Sequence, residues 1–414
     1  MASENMFDFV LLGPTGYTGR LCAEHIVQHL PTDIKWALAG RSAGKLEAVA
    51  RELRDLNPDR IQPEILTVQL VETELRPLAQ KTRLIINCVG PYHLYSTPVV
   101  QVCAETGTHY VDVTGETPWI RQLIPKYHEP ARLNGAIIIP SLGIESTPPD
   151  ILTWSLVKTI REQLSTGTKE AISCVHEVKS SGPSGGTLAT ILTTLETTNI
   201  TDLIKSADPF ALAASEPPKQ TPRRSLSELV SGVTSVSDLG TLTTSPSGMA
   251  DTAIVHRSST LMREFYGPRF YFRHYAHVRN AFVGVVFHYA FLVGIVLLTL
   301  SPVRWLVSKF VYAPGQGPRK EDCARDMVEY RAVAIPDVDT PKPKRALGRL
   351  IYNGDMYTLT AVFLAEAAMV ILYHEAKIKK VSRGGMVTPA TLGQEFVDRL
   401  DKVGCHIETR LVDN

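Results

Sequence analysis

Apolar residues along the first third of the chain come in two rhythms. Five short runs are apolar almost throughout: Phe7 to Leu12, Ile34 to Ala39, Leu84 to Val89, His109 to Val113 and Ala136 to Pro140. Runs of this length, bounded by glycine or polar residues, predict buried strands. Between them, residues 17–30, 43–56, 98–106 and 119–133 return apolar side chains every three or four positions, as with Leu46, Val49, Ala50 and Leu53. That period predicts helices with one buried face. Strands alternating with helices at this spacing predict βαβ units on a parallel sheet over residues 1–150. The rest is less regular. Residues 251–258 and 326–335 read as strands, 353–373 as a strand and then a long helix, and a helix opens at Pro389 and runs to Val403. Ala213 to Gly248, rich in Ser, Thr, Pro and Gly, predicts a long loop or lid, with Arg223 and Arg224 inside it as a solvated charge pair.

The turn after the first strand reads LLGPTGYTGRL, with Gly13, Gly16 and Gly19 at a fixed beat. A glycine triplet alone is a weak signal; between the first strand and first helix of an alternating α/β run it predicts a dinucleotide cradle and a doubly wound sheet of Rossmann type. Gly13 permits the tight turn, Gly16 lets backbone approach a pyrophosphate, and Gly19 lets helix and strand pack closely. Thr15, Tyr17 and Thr18 complete the expected cofactor contacts, with helix amides facing the anion. The second strand ends Ala39-Gly40-Arg41-Ser42, with Lys45 one turn on. An acidic residue there suits the ribose hydroxyl of NAD, whereas an arginine suits a 2′-phosphate. Two cations at a helix N-terminus also run against the helix dipole unless an anion binds. Arg41, Ser42 and Lys45 therefore point to NADPH.

Ligands of such sheets bind beyond the carboxyl ends of the strands. The first loop there is Gly90 to Ser96: Gly90 and Pro91 are expected cofactor contacts, and Tyr92, His93 and Tyr95 candidate proton donors. Asp112 and Glu116 form a second polar loop, with roles as substrate-orienting acid and base or as helix caps both open. Glu145 stands out in a third, Ser141 to Pro149, where Ser146 or Thr147 is expected to cap a helix. Ser181 to Thr187 is a further glycine-rich loop, read either as an anion site for a carrier's phosphopantetheine or as a turn lining the substrate cavity. Tyr373 and Lys377 have the Tyr-x-x-x-Lys spacing of short-chain reductases but stand far down the chain, and read as coincidence.

Ala281 to Leu300 holds 20 residues without Lys, Arg, Asp or Glu, long enough to span a bilayer. Both flanks are basic, which opposes a span. Two readings stay open: a monotopic helix dipping into one leaflet, and a buried helix walling an acyl pocket. Net charge is +1 over 414 residues, so nothing electrostatic favours a nucleic-acid partner. The six cysteines form no CxxC pair, so no metal site is expected. The N-terminal stretch MASENMFDFV has neither the basic nor the apolar part of a secretory signal, and a cytoplasmic protein is expected.

The segments GPTGYTGRL, AGRSAGKLEAV, NCVGPYHLYSTPVVQVCAETGTHYVDVTGE, PSLGIESTPPDILTW, SSGPSGGTLAT, DTAIVHRSS and RGGMVTPATLGQEFVDRLDKVG resemble the saccharopine dehydrogenase-like oxidoreductases over nearly the whole chain. The nearest branch includes trans-acting enoyl reductases of polyketide and lipid biosynthesis and lipid-droplet-associated relatives. The resemblance implies NADP(H), a Rossmann domain at 1–150, a second α/β mixed-sheet substrate domain at 151–385, and a C-terminal segment 386–414 whose helix returns to the first domain. It also implies hydride transfer to an enoyl group on an acyl or polyketide-like, carrier-bound substrate. Imine reduction on an amino-acid-like substrate and a non-catalytic lipid-associated NADP-binding protein remain as alternatives. It does not fix the substrate or the oligomeric state.

Overall fold

The computed structural model describes residues 6–219, 221–222, 224–309, 312–313 and 315–413; Arg223 lies outside them. The first unit runs β1 (Phe7–Leu12), α1 (Tyr17–His29), β2 (Trp36–Gly40), α2 (Ala43–Leu56), β3 (Glu64–Thr67), α3 (Glu72–Gln80), β4 (Thr82–Asn87), α4 (Tyr92–Tyr95), α5 (Thr97–Thr106), β5 (His109–Asp112), α6 (Thr117–Asn134) and β6 (Ile137–Ile139). The chain continues α7 (Thr147–Leu164), β7 (Thr168–Lys179), α8 (Gly185–Thr197), α9 (Ile200–Ser206), α10 (Leu226–Ser231), β8 (Val233–Val236), β9 (Gly240–Thr244), α11 (Gly248–Leu261), α12 (Arg263–Tyr266), β10 (Tyr271–His277), α13 (Ala281–Leu298) and α14 (Ser301–Ser308). It closes with β11 (Met327–Pro336), β12 (Arg345–Asn353), α15 (Met356–Ser382), β13 (Gly385–Met386), α16 (Gly393–Lys402) and β14 (Cys405–Val412).

The first sheet is parallel, in the order β13-β6-β5-β4-β1-β2-β3. The strand order reverses between β1 and β4, which places the ligand crevice at their carboxyl ends. Strands β1, β2 and β4 are almost wholly buried, as strands covered by helices on both faces must be. The second sheet is mixed, β14-β12-β11-β7-β10-β9-β8; only β7 and β10 run parallel in it.

Three elements differ from the sequence pattern. Residues 251–258 lie inside the regular helix α11 and do not form a strand. The helix packs between β10 and α7 and buries Asp251 and Ala253 through Ser259, so it shows no polar face and its period is illegible. The 213–248 stretch is not one loop: it contains α10 and the antiparallel hairpin β8–β9, which extends the second sheet from β10. The return to the first sheet is made by α15, packed on α1, β4 and β5, and by β13 beside β6; α16 packs chiefly on α15 and β14. Helix α15, although long and apolar enough to cross a membrane, is a core helix, with 78% of its most apolar window buried.

Helix α13 is different. Only Gly284 of its 18 residues is buried, although its mean hydropathy is 2.4. The reading of this segment as a buried pocket wall is therefore overturned. Its N-terminal half rests on the second sheet: Thr243 donates to the Gly284 carbonyl at 2.9 Å, and Tyr289 to the Val230 carbonyl at 2.8 Å. Arg304, just past it, ties back to Glu196 of α8 at 3.0 Å.

Candidate functional site

The carboxyl edge of the first sheet begins with the glycine turn. Gly13 has φ +83°, and a Cβ there would stand 2.7 Å from Val89 Cγ2. A Cβ on Gly19 would stand 2.2 Å from the Gly13 carbonyl oxygen, whereas on Gly16 the nearest atom would be that oxygen at 3.5 Å. Gly13 and Gly19 are thus required by the fold, and Gly16 leaves an open face. Gly16 caps α1 with no side-chain hydrogen bond, and the first turn carries no acidic residue. The amides of Tyr17, Thr18 and Gly19 are left for an anion, with Thr15 exposed beside them. This cradle fits a dinucleotide pyrophosphate. The Tyr17 side chain does not belong to it: its hydroxyl donates to the Pro318 carbonyl at 2.9 Å and its ring packs edge-on against Tyr357, so it braces the second unit.

Arg41, Ser42 and Lys45 are exposed at the end of β2 and the start of α2. Ser42 occupies the N-cap position without capping, and neither cation has an ion pair among the described residues. All three are free to meet a phosphate.

The Gly90–Pro91 peptide is cis, and the three candidate donors after it have different fates. Tyr92 is buried; its hydroxyl donates to the Asn87 carbonyl at 3.3 Å and its ring lies against Trp119. Tyr95 is exposed. Neither phenol is a held, available donor, which corrects the expectation for both. His93 alone is held: its Nδ1 lies 2.6 Å from Glu116 Oε2, and its Nε2 is buried with no partner. Glu116, itself buried, also accepts the amides of Tyr92 and His93, both at 2.7 Å. Its carboxylate reaches back to α4 rather than capping α6.

Asp112 anchors the neighbouring loops. It accepts the Tyr110 hydroxyl at 2.7 Å and the amides of Thr114 and Ser141 at 2.9 and 3.1 Å. Burial outweighs these bonds and pushes its carboxyl up to about 7. Ser146 stands at the start of α7 but makes no side-chain cap bond.

The glycine loop at Ser181–Thr187 is not an anion site. The Ser184 amide donates to the Tyr357 hydroxyl at 2.6 Å, the Gly185 amide to the Gln316 carbonyl at 3.1 Å, and a Cβ on Gly185 would collide with the Tyr312 carbonyl at 2.2 Å. Its donors are occupied by packing. Thr190 of α8 comes within 3.9 Å of a Cβ built on Gly90, so α8 flanks the cofactor edge. Tyr373 is exposed and Lys377 pairs with Glu395, away from the sheet edge.

Sequence reasoning missed a polar group from the second unit. Asp251 of α11, His274 of β10 and Tyr330 of β11 are all buried. Ser247 donates to Asp251 Oδ2 at 2.6 Å, and Tyr330 donates to the Ile144 carbonyl at 2.9 Å, next to Glu145. No motif joins these residues; only the packing of the second sheet against the 141–149 loop does.

Residues 9–139 match the saccharopine dehydrogenase NADP binding domain. Over its full length the chain is 30% identical to a Mycobacterium tuberculosis strain H37Rv protein provisionally named a trans-acting enoyl reductase, covering 99% of this chain and 98% of that one. It is 28% identical to a protein named trans-acting enoyl reductase from Mycobacterium ulcerans, covering 99% of each. The fold matches apo saccharopine dehydrogenase (L-Glu forming) from Saccharomyces cerevisiae with a TM-score of 0.56 at 14% identity, covering 98% of this chain and 100% of that one. With the glycine cradle and both sheets in place, the chain belongs to the saccharopine dehydrogenase-like family of NAD(P)-binding oxidoreductases.

Proposed function

We propose that the protein is an NADPH-dependent enoyl reductase acting in trans on an acyl or polyketide-like chain. The observation that carries the chemistry is His93, fixed by a buried carboxylate at Nδ1 and left without a partner at Nε2, at the carboxyl end of β4. The names of the full-length relatives support the reaction class. Arg41, Ser42 and Lys45 favour the 2′-phosphorylated cofactor. Bound NADPH supplies the hydride for the β-carbon of the activated double bond. The protein must then manage negative charge on the substrate carbonyl oxygen. Nε2 of His93 faces that oxygen as a hydrogen-bond donor, while Glu116, held at Nδ1, fixes the plane of the ring.

Imine reduction on an amino-acid-like substrate finds less support, because a substrate carboxylate would call for an arginine in the cleft. The buried arginines among the described residues are occupied elsewhere: Arg60 with the Ile26 and Pro31 carbonyls, and Arg257 with those of Leu212 and Met386.

The exposed α13 favours a lipid surface as the place of work. Both ends of the helix are tied to the same body, by Gly284 on β9 and by Arg304 on α8, which suits a helix lying in one leaflet of a membrane or droplet on its cytoplasmic side. The test is NADPH oxidation with enoyl thioesters, free and carrier-bound. His93→Ala should lower turnover by about 10²-fold or more with NADPH affinity unchanged, and Tyr92→Phe should not. Tight NADPH binding with no oxidation by any enoyl thioester would favour the non-catalytic reading.

A further inference from the structure

Helix α10 is built inside out. Its one acid, Glu228, is buried: Oε1 accepts the Tyr275 hydroxyl of β10 at 2.6 Å, and Oε2 lies 3.8 Å from Arg273. The opposite side of the helix carries Leu226, Leu229 and Val230, which are 80%, 57% and 66% exposed. A helix on a water-facing surface has the reverse arrangement, with charge outside and leucine inside.

That apolar face runs on into α13. The Tyr289 hydroxyl donates to the Val230 carbonyl at 2.8 Å. A Cβ on Gly232, at the end of α10, would lie 2.2 Å from His288 Cγ, and Thr244 of β9 holds His288 Nδ1 at 2.7 Å. Gly232, at φ +67°, thus lets the end of α10 lie directly on α13. At the far end, Arg304 of α14 donates to the Leu298 and Thr299 carbonyls at 3.1 and 2.7 Å. This holds α14 against the end of α13, and α14 in turn leaves Trp305 and Leu306 exposed. Exposed apolar side chains therefore continue over three helices, from Leu226 through Phe282 and Val293 to Leu306. Scattered surface residues need no explanation, but a continuous patch marks an interaction site.

The charge around the patch has one sign. Residues 265–320 contain no Asp or Glu and seven Lys or Arg. Arg279 stands exposed just before α13, and Lys309 just after α14, with its Nζ 3.5 Å from the Trp305 ring centre. Neither has an ion pair among the described residues. Arg224, before α10, is exposed beside the buried Glu228 at 3.6 Å. A second copy of this surface would set cation against cation, whereas anionic headgroups over an acyl layer complement both the rim and the patch.

We propose that α10, α13 and α14 form a single docking surface for an anionic phospholipid layer. The apolar residues of the three helices enter the acyl region, and Arg224, Arg279 and Lys309 meet the headgroups. The inference rests on the lipid-surface reading above, which needs only α13, and adds to it two helices and a headgroup charge.

Flotation of the full chain with vesicles tests it. Phosphatidylcholine vesicles containing phosphatidylglycerol should bind the protein at least about tenfold more tightly than phosphatidylcholine alone, and 0.5 M NaCl, on the order of a 4 Å screening length, should remove most of that preference. Leu226→Glu with Leu229→Glu should weaken binding to the anionic vesicles at least about tenfold, with the urea midpoint and NADPH affinity unchanged. Leu133→Glu, at a 70% exposed position on α6, should leave binding as it is. If the α10 variant fails to fold, Arg279→Gln with Lys309→Gln gives a second test: it should lose the anionic preference and keep the weaker binding to neutral vesicles. Flotation indifferent to lipid charge and to the α10 substitutions would overturn this inference and leave α13 alone as the lipid contact. Flotation with neither vesicle would overturn the lipid reading and the inference together, and a dimer in sedimentation that the α10 variant dissolves would then assign the patch to a second copy. No readout uses turnover, so a failure to reduce enoyl thioesters bears only on the chemistry.

Discussion

Substituting alanine at Gly19 and at Gly16 separates what the glycine turn does for folding from what it does for the cofactor. At Gly19 the new Cβ would meet three backbone atoms: the Gly13 oxygen at 2.2 Å, the Gly13 carbonyl carbon at 3.0 Å and Pro14 Cα at 3.1 Å. Ordinary contact needs about 3.5 Å, so the turn must retreat by roughly an ångström. That retreat strains two bonds, Gly16 N–H to the Gly13 oxygen at 3.2 Å and Gly13 N–H to the Ala39 oxygen at 3.0 Å. Overpacking costs about 1–3 kcal/mol, and the weakened bonds add about 0.5–1.5 kcal/mol each. Alanine returns only about 1 kcal/mol of helix propensity. The net loss should be about 1–5 kcal/mol, with NADPH binding lost as well. At Gly16 the Cβ meets nothing closer than 3.5 Å, so stability should hold. The methyl fills the open face where the pyrophosphate lies, and affinity should fall at least about tenfold, or 1.4 kcal/mol. Gly44, with nothing within 4 Å of a Cβ, is the control, and alanine there should stabilise by up to about 1 kcal/mol. Urea unfolding gives the stabilities and NADPH fluorescence titration the affinities. Normal stability in Gly19→Ala, or lost stability with normal binding in Gly16→Ala, would refute the assignment of roles.

Arg41→Ala should weaken NADPH by about 1–3 kcal/mol, as for a charge-assisted bond, and leave NADH unchanged; equal losses for both in a fluorescence titration would remove the 2′-phosphate from the argument. Stability should fall as pH rises from about 4 to 7: folded Asp112 keeps its proton up to about 7, while the unfolded residue releases it near 4, so raising the pH favours the unfolded chain. Asp112→Asn should flatten that fall in urea midpoints, and an unchanged slope would contradict it. The purified protein should float with liposomes, and Phe282→Glu with Val293→Glu, both at exposed α13 positions, should abolish flotation without changing NADPH affinity; flotation that survives the double substitution would place the lipid contact elsewhere.

Five of the seven strands of the first sheet were legible because each is a short apolar run and the helices between them have one polar face, so local period and burial agree; β3, exposed at both ends, and the two-residue β13 offer no such run and were not read. The cradle glycines were legible for the same reason: their need is set by backbone geometry within seven residues of chain. Where the period is lost, so was the reading. Helix α11 is buried on nearly all sides and has no face to reveal it, and the hairpin β8–β9 is too short and polar to stand out from a loop. Helix α13 showed its composition but not its place; nothing local distinguishes an apolar helix inside a core from one outside it. The site divides the same way. His93 could be named as a candidate beside Tyr92 and Tyr95, but only the fold turns Tyr92 inward, leaves Tyr95 in solvent and brings Glu116 from the next loop to His93. The hydrogen bond from the Tyr330 hydroxyl to the Ile144 carbonyl joins residues 186 positions apart, one on the second sheet and one in the loop after β6. Such a contact is a property of packing between elements, which no local pattern in the sequence encodes.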